Sequence, residues 1–154
     1  MVEDIHGNVV RVTLCGVKQA ELGFRFIHLG PAQVCEKCKL FHVCMGNLEA
    51  GRVYKIMKVR DKAFACKLHE GGVRVVEVKE AEISGVVNVG MAIEGALVTV
   101  YPQNCGRRGC ENFSVCNPEG LVPGDKYKII TVNGRTSCPE GRTLLTVSML
   151  RKLM

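Results

Sequence analysis

At 154 residues, with 47% apolar residues, 5% aromatic residues and no tryptophan, the chain has the size of one ordinary domain or two very small ones and the composition of neither a disordered nor a fibrous polymer. Its formal net charge of +6 is modest and fits a nucleic-acid partner, an acidic protein partner, or solubility alone. Nine cysteines are far above ordinary usage and require either disulfides or metal as their reason.

The first six residues, Met1 to His6, show neither a basic n-region nor an apolar h-region, so no signal peptide is read and a cytoplasmic location is expected. Asn8 to Leu14 alternates and is β-branched, which predicts a strand stopped by Gly16. Val17 to Leu22 can hold a short turn of helix, and Gly23 to Leu29 predicts a second strand, closed by Gly30-Pro31. A cysteine loop follows. Leu48-x2-Gly51 reads as a turn into a strand over Val53 to Val59, and Ala63 to Leu68 as a short strand carrying Cys66. Gly71-Gly72 is a hairpin signal ahead of a strand over Val73 to Val78.

Lys79 to Glu82 is the only polar bridge between the halves. The window Ile83 to Val100 is apolar and long enough to suggest a membrane span. Glu94 in its middle, and Lys18, Glu21, Arg25 and His28 at the matching places of the first half, argue for buried soluble structure instead. Within it, Val87 to Ile93 can hold a turn of helix, and Ala92 to Tyr101 predicts a strand closed by Pro102. Cys105 to Cys116 is a glycine-rich loop, Pro123-Gly124-Asp125 a turn, and Lys126 to Val132 a strand. Asn133-Gly134 reads as a hairpin, and Leu144 to Leu150 as the last strand.

The order repeats because the chain is duplicated. Cys38, Cys44 and Cys66 recur 72 residues later as Cys110, Cys116 and Cys138. Between them Phe41, Val43, Leu48, Gly51, Tyr54, Lys55 and Ile56 answer to Phe113, Val115, Leu121, Gly124, Tyr127, Lys128 and Ile129. The expected fold is therefore mainly β: two tandem, barrel-like halves, residues 1–80 and 81–154, related by a pseudo-twofold, packed as one globular unit, with a cysteine-rich loop in each. The Leu-x2-Gly-x2-Tyr-x-Ile run resembles the turn and strand of small SH3-like or OB-like barrels.

Each half offers four thiols: Cys35, Cys38, Cys44 and Cys66, then Cys105, Cys110, Cys116 and Cys138. Four thiolates suit a tetrahedral zinc ion or a four-iron cluster, both stable in a reducing cell. The 21-residue spacer from Cys44 to Cys66 returns between Cys116 and Cys138 although its residues change, so both ends are expected to meet one object. Zinc ribbons use two close cysteine pairs, and here only the first pair of each set is close. An iron–sulphur cluster ranks first on that ground, zinc second and disulfides third. Cys15 has Val87 as its counterpart, so it is read as a buried thiol outside both sets. His42 and His69 are not repeated and are not made ligands, and His6 and His28 are read as surface or strand residues.

The triplet Cys35-x2-Cys38-x5-Cys44 resembles the cluster loops of helix-hairpin-helix DNA glycosylases and RecB-type nucleases, whose fourth cysteine lies upstream rather than downstream. Over its full length, through the eight repeated cysteines and Gly30-Pro31-Ala32, the chain resembles a family of small uncharacterised archaeal proteins with two cysteine clusters. That resemblance implies iron–sulphur redox centres and a cytoplasmic archaeal protein, without an established activity.

Lys37, Lys39, Arg107 and Arg108 beside the thiols are read first as offsetting thiolate charge and second as phosphate contacts. No phosphate-binding loop and no Ser/His/Asp or Cys/His pair is supported by the duplication, so the reading leans away from an enzyme. The leading expectation is a metal-binding protein in electron transfer or redox sensing, with a redox partner protein and no membrane. The alternative is a structural zinc protein acting as a nucleic-acid or protein-binding module.

Overall fold

Valine, isoleucine and tyrosine recur at alternate positions through most of the strands, the spacing that turns one face of each strand inward. A computed structural model describes residues 9–30, 39, 41, 48–66, 68–103 and 105–152. Strands β1 (Arg11–Gly16), β2 (Arg25–Ile27), β3 (Val53–Phe64) and β4 (Val73–Glu80) form one antiparallel sheet in the order β1-β4-β3-β2. Strands β5 (Ile83–Asn88), β6 (Leu97–Thr99), β7 (Lys126–Thr136) and β8 (Leu144–Arg151) form a second in the order β5-β8-β7-β6. Each sheet curls into half a barrel, and the chain divides into two compact units, Met1–Ala81 and Glu82–Met154.

The duplication is visible bond by bond. Gly23 N donates to Ile56 O at 2.9 Å, and Gly95 N to Ile129 O at 2.7 Å. Gly51 N donates to His28 O at 2.7 Å, and Gly124 N to Val100 O at 3.3 Å. Ala81 N closes the first unit on Val53 O at 2.9 Å, as Lys152 N closes the second on Lys126 O at 2.8 Å. Gly51 and Gly124 both take a left-handed backbone, with φ of 85° and 89°, which explains why these two glycines recur. The short turns of helix expected after β1 and before β6 are 3-10 turns, Val17–Gln19 and Val89–Met91.

In the first unit Tyr54, Ile56, Val76, Val78 and Cys15 make one buried cluster. Leu14, Val73 and Val75 make another, with Phe64 and Cys66 packed against it. Burying both faces of β4 in this way explains its nearly continuous valines. In the second unit Tyr127, Ile129, Val147 and Met149 are likewise buried. Both tyrosines keep a hydroxyl partner: Tyr54 accepts from Glu49 N at 2.8 Å, and Tyr127 donates to Gly120 O at 3.4 Å.

Some expectations are corrected. Asn133-Gly134 does not turn a hairpin but lies inside β7, where the register slips between Val132 and Gly134. Gly134 has φ of 131°, so the glycine serves a bulge, which requires the same left-handed freedom as a turn. The segment expected as a separate strand over Ala63 to Leu68 is the end of β3, and Cys66 lies beyond it. The strand expected over Ala92 to Tyr101 shrinks to Leu97–Thr99. β5 was hidden in the apolar window, although it stands 72 residues after β1, position for position. His28 is 7% exposed, a buried residue rather than a surface one, at the place that Val100 fills in the second unit.

Candidate metal centre

Three segments of the second unit build the site. Cys105 and Cys110 lie on the loop after β6, Cys116 ends the one-turn helix α1 (Phe113–Cys116), and Cys138 lies two residues beyond β7. The stretch Cys105 to Cys116, expected as loop throughout, thus holds a helical turn, and Cys138 comes from a loop. The loop is folded on itself by its backbone: Gln103 N donates to Cys116 O at 3.1 Å, Cys110 N to Arg107 O at 3.0 Å, and Phe113 N to Cys110 O at 3.1 Å. Asn112 N points at the Cys110 sulphur at 3.5 Å. Asn112 Nδ2 donates to Ser137 O at 2.8 Å, which ties the loop to the residue before Cys138. Arg107 pairs with Glu140 across the same gap, and Arg142 Nη1 donates to Gln103 Oε1 at 3.1 Å.

All four thiols, Cys105, Cys110, Cys116 and Cys138, line one cavity of about 20 Å³, which Phe113 and Leu144 also line. Each cysteine is half-buried and none is in a disulfide. Burial pushes the Cys116 thiol up, and the nearby Cys110, Cys138 and Cys105 add to the rise, with Arg142 opposing it. Cys116 therefore lies in the field of the other three sulphurs. Glu140 holds the Arg107 guanidinium above its ordinary range, and Arg107 in turn holds the Glu140 carboxyl below its own. Among the described residues no three His, Cys, Asp or Glu side chains converge as a metal-holding group, so the thiols share a cavity without meeting at a point.

Of the first set, Cys35, Cys38 and Cys44 lie outside the described residues, as do His6, His42 and Lys37. Cys66 is described, two residues beyond β3 as Cys138 is two beyond β7, and it packs against the Leu14, Val73 and Val75 cluster. Cys15 is in the core with Tyr54 and Val76, 8% exposed, and burial raises its thiol. Val87, its counterpart, is 4% exposed, so the two positions share one apolar task. The ring of His69 lies against Gly16.

Arg107 was legible as a basic neighbour of the thiols. Glu140, Arg142 and Gln103 were not, because their contacts cross from one loop to another at sequence separations of 33 and 39 residues, which no local pattern carries. Arg108 does not line the cavity.

Fold and site define a small two-unit β protein with a thiol-lined cavity in its second unit. The chain belongs to the UPF0179 family: the model described as "Uncharacterised protein family (UPF0179)" matches residues 11–149. It is similar to a UPF0179 protein of Methanocaldococcus jannaschii, 44% identical over 138 residues, spanning 89% of this chain and 91% of that one. A UPF0179 protein of Thermococcus onnurineus is 44% identical over 142 residues, spanning 92% and 93%, and one of Pyrococcus furiosus 42% identical over 141 residues, spanning 92% and 96%. No solved structure matches. Among the described residues no helix is long and apolar enough to cross a membrane.

Proposed function

We propose that the chain is a metal–sulphur protein in which Cys105, Cys110, Cys116 and Cys138 hold an iron–sulphur cluster used in electron transfer or redox sensing. One observation carries the reading: four cysteines from three segments, the last three of them at the repeated spacing, line a single cavity. Four neighbouring thiolates repel one another, and a bound cation relieves that repulsion. The Cys110 sulphur receives a backbone N–H, and Arg142 brings positive charge toward Cys116 while Arg107 is balanced by Glu140; the N–H and Arg142 favour an anionic thiolate centre. By the duplication, Cys35, Cys38, Cys44 and Cys66 form the second site. Two one-electron centres in one small protein would make a relay to a partner protein in the cytoplasm.

Zinc is the second reading, and the Asn112 to Ser137 bond favours it: the site joins two loops, which is what a structural zinc staple does. The test is anaerobic purification with iron and zinc both supplied. The expected result is brown protein with iron and acid-labile sulphide, and loss of metal from the second site in Cys116→Ser and Cys138→Ser. Colourless protein with stoichiometric zinc would sink the redox reading, and metal retained in both variants would sink the site.

A further inference from the structure

The free edge of the second sheet is apolar. β6 ends its sheet, with β7 as its one neighbour among the described residues. Ala96 O accepts from Ile129 N at 3.0 Å and Val100 N donates to Asp125 O at 3.3 Å, so the even-numbered residues turn their backbone toward β7. Leu97 and Thr99, which alternate with them, turn N–H and C=O toward the open side. Leu97 is 56% exposed, Ile93 in the turn before it 63%, Val89 53% and Tyr101 62%, with Met91 exposed beside them. Natural sheets guard such an edge with charge, proline or a covering segment.

The first unit carries polar residues at most of these places. At the 72-residue offset, Gln19 stands for Met91, Glu21 for Ile93 and Arg25 for Leu97. The 3-10 turns and edge strands of the two units match, so the backbone accepts polar residues there. Leu22 makes the reverse exchange, standing where the second unit has Glu94. Glu94 is held toward β7, where its carboxylate accepts from Val132 N at 3.3 Å.

We infer that β6 pairs antiparallel with the β6 of a second copy of this chain, giving a symmetric dimer through the second unit. A two-fold axis at Val98 sets Leu97 opposite the second copy's Thr99, and Thr99 opposite its Leu97. Those are the residues with outward N–H and C=O, so each pair exchanges both hydrogen bonds. The register is self-complementary, the apolar patch has no charge of its own to select an acidic or basic partner, and a two-fold pair closes on itself. The exposed parts of Val89, Met91, Ile93, Leu97 and Tyr101 come to roughly 500 Å² per copy. Covering both copies buries about 1,000 Å², the size at which specific interfaces begin. Lys126 and Lys128 lie opposite Thr99 and Leu97 on β7. In the dimer three strand spacings, about 14 Å, separate them from their copies, which is beyond the screening length in ordinary salt. The inference is independent of the cysteine site.

The test is light scattering on a sizing column, using the full chain as purified, from about 5 to 200 µM, with a phosphine reductant present so that no disulfide joins copies. Twice the chain mass is expected. Leu97→Arg/Met91→Gln installs the first unit's residues and sets two like charges about 7–8 Å apart across the axis. It is expected to raise the dissociation constant at least about a hundredfold and leave a monomer. Thr99→Pro removes an N–H that faces the second copy and not β7, and is expected to leave a monomer as well. Leu22→Glu, a charge added at the first unit's turn, is expected to leave the dimer unchanged. Circular dichroism checks that the sheet is intact in each variant. The inference is overturned by a monomer throughout the range, by an assembly larger than a dimer, or by equal dissociation in Leu22→Glu. A dimer that survives Leu97→Arg/Met91→Gln would exclude this surface, and one that survives Thr99→Pro would exclude strand pairing.

Discussion

The duplicated sheets solve one packing problem in two ways, and exchanging the solutions is a quantitative test of the core. Gly85 sits opposite Val147 in β5, and a methyl group built on it would lie 2.4 Å from Met149 Cε. Met149 is fully buried, and Pro118, just past α1, comes within 3.8 Å of the same point. In the first unit the matching position is Thr13, opposite Val76, and the residue matching Met149 is the shorter Val78. Gly85 is not in the left-handed region, so its small size, not its backbone freedom, is what the site requires. Gly85→Ala should cost about 1–3 kcal/mol through overpacking. Met149→Val should cost about 1–2 kcal/mol through a partly unfilled space. If independent, the two would sum to about 2–5 kcal/mol; together, the new methyl occupies what Met149 vacates, and the double variant should lose less than about 1 kcal/mol. Guanidinium unfolding of the four proteins, followed by circular dichroism, gives the coupling energy. Additive losses would show that the two side chains do not compete for one space.

His28 is buried, and burial lowers its pKa below the ordinary histidine value. The unfolded chain therefore takes up the proton first as pH falls, so stability should be level above about pH 6.5 and decline below it. His28→Val, which copies Val100, should flatten that decline; urea midpoints from pH 7.5 to 5 would read it, and an unchanged slope would place the acid sensitivity elsewhere. Tyr54→Phe should cost about 1 kcal/mol and more than Tyr127→Phe, since the hydroxyl contact is 2.8 Å in one and 3.4 Å in the other. Thermal unfolding would rank them. Cys15→Ala should lower stability by about 1–2 kcal/mol while leaving metal content unchanged, because its thiol is packed in the apolar core; loss of metal on elemental analysis would refute that separation.

The sequence by itself determined that this is a duplicated β protein. Two halves that align residue by residue, with single-residue shifts, are expected to fold alike, and apolar runs bounded by turn residues marked strands at the places of β3, β4, β7 and β8 before any coordinates. It also separated Cys15 from the repeated cysteines, because Val87 can replace a buried thiol but cannot replace a ligand. Tertiary structure alone decided that Asn133-Gly134 bulges instead of turning, since a left-handed glycine suits both and only the register across to β8 chooses. It decided that Cys138 shares a cavity with Cys105, Cys110 and Cys116, and that Glu140, Arg142 and Gln103 join them. Those contacts bring together segments far apart in the chain, where local spacing carries no information.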